Sequence, residues 1–136
     1  MEKIKTKETV AANIPLFEPR LNGKEWEYVK ECLDTGWLSS AGEYVERFER
    51  AVAEYTQSRY AVACVNGTAA LHTALLVAGI GPGEEVITPA LTFIATANAV
   101  RYTGALPIFM DVDPEVWQID IQKLKNFLNN ECVIFF

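Results

Sequence analysis

The chain has 136 residues, half of them hydrophobic and 22% charged, which is enough to bury a core and ordinary for a globular domain. Its 18 acidic residues against 12 basic ones leave a formal charge of −6, which argues against nucleic acid as a partner because phosphate binding favours basic faces. No apolar run approaches the ~20 residues that span a bilayer, and the charged start MEKIKTKETV lacks the apolar centre of a secretory signal. No membrane partner and a cytoplasmic location are therefore expected.

Residues 1–13 read as a flexible tail and 14–136 as one folded portion. NIPLFEPRLNG, with two prolines and no helical period, reads as an extended arm. From Lys24 to Thr35, Trp26, Val29 and Leu33 fall at helical spacing, and Gly36 is a natural stop. WLSSAGEYV is a polar loop, after which Val45, Phe48, Val52 and Tyr55 make one stripe of a second helix from Glu43 to Tyr55. YAVACV, Tyr60–Val65, has the β-branched apolar character of a strand buried on both faces. A helix follows from Thr68 to Ala78, with Asn66 as its cap, and Gly79, Gly81, Pro82 and Gly83 end it.

EEVITP predicts a second strand, TFIATANAVRYTG a helix, and LPIFMDVD a third strand. PEVWQID is a turn, Asp120 a second cap, and IQKLKNFLNN the last helix. Strands alternating with helices of about a dozen residues indicate βαβ units, hence an α/β fold with a mostly parallel sheet flanked by helices. ECVIFF reads as the opening of a further strand, and its apolar character at a terminus suggests a truncated chain. Cys32, Cys64 and Cys132 are odd in number and form no CxxC pair, so buried or free thiols are expected and no metal site.

Chemistry concentrates at ACVNGTAALHTAL. A strand entering a helix through Asn66-Gly67-Thr68 lets the backbone approach a ligand, because glycine has no Cβ. The first helical N–H groups lack intrahelical partners and carry the positive end of the helix dipole, and Thr68 adds a hydroxyl. Such a turn suits an anion at the C-terminal edge of a parallel sheet. Taken alone such a turn is more often tight packing than a binding site, and it is neither a GxxxxGK[ST] phosphate loop nor a GxGxxG dinucleotide fingerprint. Phe93, opening the next helix, is placed to stand beside whatever occupies the turn, where its π face suits a flat ring. His72 follows the turn on the helix and reads as structural or solvent-facing.

Together, VNGTAALHTAL, GEEVITPALTFIATANAV and FMDVDPEVWQID resemble the DegT/DnrJ/StrS-type nucleotide-sugar aminotransferases, pyridoxal 5'-phosphate (PLP) enzymes of fold type I. GKEWEYVKECLDTGWLSSAGEYVERFE is similar to that family's opening helix, loop and helix. The likeness covers residues 14–128 and looks closest to members acting on 4-keto-6-deoxy sugars, the legionaminic-acid-pathway type among them.

The resemblance implies the N-terminal part of a fold type I large domain, truncated, with PLP as cofactor. It implies cofactor-phosphate binding by Gly67, Thr68 and Ala69 and ring stacking by Phe93. It places Ser39, Ser40 and Gly42 in a loop lining the sugar-nucleotide pocket. It further implies a nucleotide-sugar substrate, an amino-acid donor such as glutamate, and a homodimeric parent. No catalytic residue is assigned here, since the family's Schiff-base lysine and its pyridine-pairing aspartate lie beyond position 136; Lys123 and Lys125 sit on a polar helix face, and Asp111 and Asp113 match a strand-end turn. The 136-residue chain is therefore expected to be inactive alone. A sugar dehydratase of the same family, with histidine in place of that lysine, and a non-catalytic α/β binding module are the alternatives.

Overall fold

The computed structural model describes Pro15 and residues 17–130. The expected tail at 1–13, the further strand at 131–136 and Cys132 lie outside the described residues. The chain divides into two units, Met1–Gly42 and Glu43–Phe136.

In the first unit, residues 17–22 are exposed and without regular structure, and one helix follows, α1 (Glu25–Thr35). The Gly23 N–H donates to Glu25 Oε2 at 2.8 Å, and Glu25 and Glu27 place negative charge at the positive end of the helix dipole. Lys30 pairs with Asp34 one turn on. Gly36 ends the helix in the left-handed conformation, φ +69°, its N–H reaching the Leu33 carbonyl at 3.3 Å. None of the residues of α1 is buried, so the Trp26, Val29 and Leu33 stripe stays exposed.

The second unit carries the core. It begins with α2 (Glu43–Thr56), whose stripe is half-buried at Val45 and Val52 and exposed at Phe48 and Tyr55. The strand expected at Tyr60–Val65 does not form. The segment is without assigned pairing, and Tyr60 and Val62 are about four-fifths exposed. Its one tie among the described residues is the Ala63 N–H donating to Glu49 Oε1 of α2 at 2.8 Å. A buried strand needs a neighbouring strand as well as apolar side chains, and the only ladder among the described residues lies elsewhere.

That ladder is the βαβ unit. α3 (Gly67–Val77) leads through the Gly79–Gly83 turn into β1 (Glu85–Pro89); α4 (Ile94–Tyr102) crosses over; and β2 (Leu106–Met110) pairs parallel to β1 with Ile87 opposite Ile108. The strand expected at 106–113 is shorter because the chain turns back after Met110: the Asp113 N–H bonds the Gln118 carbonyl, and Val112 bridges Ile119 antiparallel. α5 (Ile121–Asn130) follows, with Asp120 Oδ1 accepting the Gln122 and Lys123 N–H groups as its cap.

Alternation along β1 sends side chains to opposite faces. Val86 packs with Leu75, Ile80, Ala99, Val100 and Ala105 beneath α3 and α4. Ile87 packs with Met110 and Leu124 on the face covered by α5, with Ile108, Ile119 and Phe127 around them. Helices therefore cover both faces of a parallel sheet. Ile87 and Val100, each 2% exposed, are the largest fully buried side chains, and burial of each contributes about 1.5–3 kcal/mol.

Candidate functional site

Asn66 has extended dihedrals, φ −163° and ψ 172°, and its Oδ1 accepts the Ala69 N–H at 2.8 Å. The Ala70 N–H bonds the Asn66 carbonyl. This cap consumes the third orphan donor of α3 and leaves the first two, on Gly67 and Thr68, with no protein acceptor among the described residues. Both lie at the positive end of the α3 dipole.

Gly67 is not explained by the protein around it. It has no positive φ, and a Cβ added there would meet nothing within 4 Å. Among the described residues, neither backbone conformation nor packing demands glycine at this position. What the absence of a side chain leaves is open access to two unpaired N–H groups.

Past the C-terminal end of β1 the chain turns at Ala90–Thr92 and enters α4 with Phe93 as its N-cap residue, φ −64° and ψ 138°, without side-chain capping. The Phe93 side chain is 85% exposed. α3 packs against α4, and their N-termini share a groove lined by Gly67, Thr68, Ala70, Leu71, Ala74, Phe93, Ala95 and Thr96. Gly67, Thr68 and Phe93 thus line one groove. Ala69 stays outside the groove lining, its N–H given to Asn66. Ser39, Ser40 and Gly42 belong to the first unit, in the loop after α1.

Sequence reasoning missed Thr96, which lines this groove, and its neighbour Thr92. Thr92 and Thr96, four residues apart, bring their hydroxyls within 3.3 Å of one another, and that spacing was the available signal. His72 lies edge-on against Tyr102 with ring centroids 5.7 Å apart, a contact between α3 and α4. Among the described residues, the one pair of shifted titrating groups is Asp111 and Lys123. The Lys123 ammonium donates to Asp111 Oδ2 at 2.9 Å, and that bond and its charge hold the Asp111 carboxyl below the usual value while raising Lys123. The pair ties the chain after β2 to α5. Among the described residues no cluster of three or more His, Cys, Asp or Glu is arranged to hold a metal, and Cys32 and Cys64 are free. No helix among them is long and apolar enough to cross a membrane.

Fold and groove define an α/β protein in which the N-terminus of α3, with two N–H groups unpaired among the described residues, shares a groove with the exposed Phe93 past the C-terminal end of β1. Its family is established by comparison: the chain belongs to the DegT/DnrJ/EryC1/StrS aminotransferase family, whose sequence profile matches residues 19–133. It is 51% identical over 118 residues to the GDP-perosamine synthase of Escherichia coli O157:H7, covering 87% of this chain and 32% of that protein. It is 52% identical over 112 residues to the GDP-perosamine synthase of Caulobacter vibrioides, covering 82% of this chain and 30% of that one. Among solved structures, a Streptococcus pneumoniae protein in its PLP form superposes with a TM-score of 0.77 at 33% identity, over 84% of this chain and 29% of its own. The chain thus spans about a third of the length of the curated relatives it matches. The finer likeness to the legionaminic-acid-pathway type gains no specific support from these relatives.

Proposed function

We propose that this chain forms the cofactor-phosphate side of a PLP-dependent sugar aminotransferase. The observation that carries the reading is the pair of N–H groups on Gly67 and Thr68, unpaired among the described residues and opened by a glycine whose added Cβ would meet none of them, in one groove with Phe93. The names of its relatives and the PLP-form structure support it. In this reading the Gly67 and Thr68 N–H groups and the Thr68 hydroxyl hold the cofactor phosphate, and Phe93 lies against its ring. PLP supplies the electron sink by which an amino group passes from a donor to a keto sugar. These residues bind and orient; none of them moves a proton.

The substrate is a 4-keto-6-deoxy nucleotide sugar met in part by Ser39, Ser40 and Gly42, the donor is glutamate, and the complete enzyme is a cytoplasmic homodimer. A polypeptide confined to these 136 residues binds cofactor weakly and transfers no amino group, since the residues that match supply a cradle and no Schiff-base lysine. The test is a titration of the chain with pyridoxamine phosphate followed by amide chemical shifts. Gly67, Thr68 and Phe93 shift together at millimolar ligand while α5 stays still. Shifts confined to another surface, or none, overturn the assignment. Glutamate-dependent amination of a keto sugar by the purified chain overturns its inactivity.

A further inference from the structure

The loop between α1 and α2 has an internal brace that the groove on α3 and α4 does not explain. The Trp37 indole N–H donates to the Ala41 carbonyl at 2.8 Å, folding the ring back over its own loop. Gly42 sits beneath that ring. A Cβ at position 42 would fall on the indole nitrogen and lie 2.6 Å from Cδ1, and its φ of +145° is one that side chains rarely adopt. The Ala41 N–H reaches Ser39 Oγ at 3.4 Å, and the Leu38 N–H bonds the Gly36 carbonyl at 3.1 Å. Trp37 remains 62% exposed, so burial does not hold the ring in place. The hydrogen bond and the gap at Gly42 do. The Ser40 hydroxyl, inside the braced turn, has no partner among the described residues.

We propose that Trp37 is a positioning residue: its indole, locked onto Ala41 over Gly42, holds the 39–42 turn in one shape and presents Ser40 to a polar ligand. The proposal rests on the reading above for the ligand's class, a nucleotide-linked sugar. A hydroxyl presented in advance loses less rotational freedom on binding than one on a loose loop, so the latch acts on affinity without touching the ligand. Polar loops between helices are usually solvated and mobile; an exposed tryptophan folded onto a glycine inside one goes beyond what connecting two helices requires.

The chain contains its own controls. Trp26 and Trp117 are 74% and 67% exposed against 62% for Trp37, and no acceptor meets their indole N–H groups among the described residues. The latch therefore predicts that the Trp37 indole proton exchanges with solvent about 2- to 10-fold more slowly than the other two, the protection that one ordinary net hydrogen bond gives. Equal rates for all three overturn it without any variant. The second arm titrates the chain with GDP-mannose, a GDP-linked hexose, by amide shifts. Trp37→Phe keeps the ring and removes the donor; it weakens binding several-fold, and adding Ser40→Ala to it costs less than Ser40→Ala costs alone. A slowed Trp37 proton with Ser40→Ala weakening binding and Trp37→Phe leaving it unchanged overturns the positioning role. A slowed proton with neither substitution affecting binding overturns the assignment of this loop to the nucleotide sugar and leaves the latch standing.

Discussion

Gly67→Ala separates the stability of the chain from its ligand binding. Most glycines at turns are there because a Cβ would clash or because φ is positive, and replacing them destabilises the protein. Neither condition holds at position 67, where an added Cβ meets nothing within 4 Å. Alanine restricts the unfolded chain and favours the first turn of α3, so the substitution stabilises by about 0.4–1 kcal/mol. For a chain of this size that is a rise in Tm of about 1–4 °C. The same methyl stands at the mouth of the groove that Gly67 lines. There it pushes an anion away from the two free N–H groups, and loss of one charge-assisted hydrogen bond is about 1.5–3 kcal/mol, a 10- to 100-fold loss of affinity for pyridoxamine phosphate. Calorimetry gives the Tm and an amide-shift titration gives the affinity. A fall in Tm of several degrees would refute the argument that packing leaves this glycine free. Unchanged affinity would refute the cradle.

Other substitutions probe the frame around it. Thr88 is 2% exposed and its hydroxyl has no partner among the described residues, so Thr88→Val removes a desolvated polar group and stabilises by about 1–2 kcal/mol, read as a higher urea midpoint. Asn66→Ala deletes the bond to the Ala69 N–H and destabilises by about 1 kcal/mol; Asn66→Ser, which keeps an acceptor, recovers most of it. The exposed Asp111–Lys123 pair sets opposite ends of a pH window. Asp111 is lowered, so its contribution is present above its ordinary pKa and lost as pH falls through the lowered one. Lys123 is raised, so its contribution is present below its ordinary pKa and lost as pH rises through the higher one. An NMR titration finds the Asp111 carboxyl below its ordinary value of 3.8, returning toward it in Lys123→Met or at 1 M salt; a carboxyl that never departs from that value contradicts the pair.

The helices were legible because each carries its own evidence. Spacing, Asn66 and Asp120 caps and the Gly36 stop act within a few residues, and the observed ends differ from the expected ones by two residues at most, the largest differences falling at α4. That helix starts at Ile94 because Phe93 is still extended. The strands divided. β1 and β2 are joined by a short crossover and find each other, whereas Tyr60–Val65, equally β-branched, depends on a partner that pattern cannot supply. At the site, the glycine turn and Phe93 announced themselves by residue type. The allocation of donors did not: only the folded structure shows that Asn66 takes the Ala69 N–H and leaves those of Gly67 and Thr68 without an acceptor among the described residues. Nor does GWLSSAG reveal that the indole of Trp37 closes over Gly42.

The groove also explains why its residues are poor core residues. Phe93 at 85% exposure leaves a large apolar ring in water, and Gly67 forgoes helix propensity at the start of α3. Both choices work against the stability of the isolated chain. The residues that hold the unit together, Ile87, Val100, Leu75 and their neighbours, lie in clusters containing neither of them. A fold that can carry its core without these two positions is free to use them for a ligand, and a flat aromatic phosphate relieves both costs at once: it covers the ring and satisfies the N–H groups. Phe93→Ala should therefore leave the unfolding free energy from a urea titration within about 0.5 kcal/mol of wild type, as for an exposed side chain, while weakening binding of pyridoxamine phosphate more than that of inorganic phosphate. Equal loss for the two ligands would mean that Phe93 shapes the turn and does not face the ring.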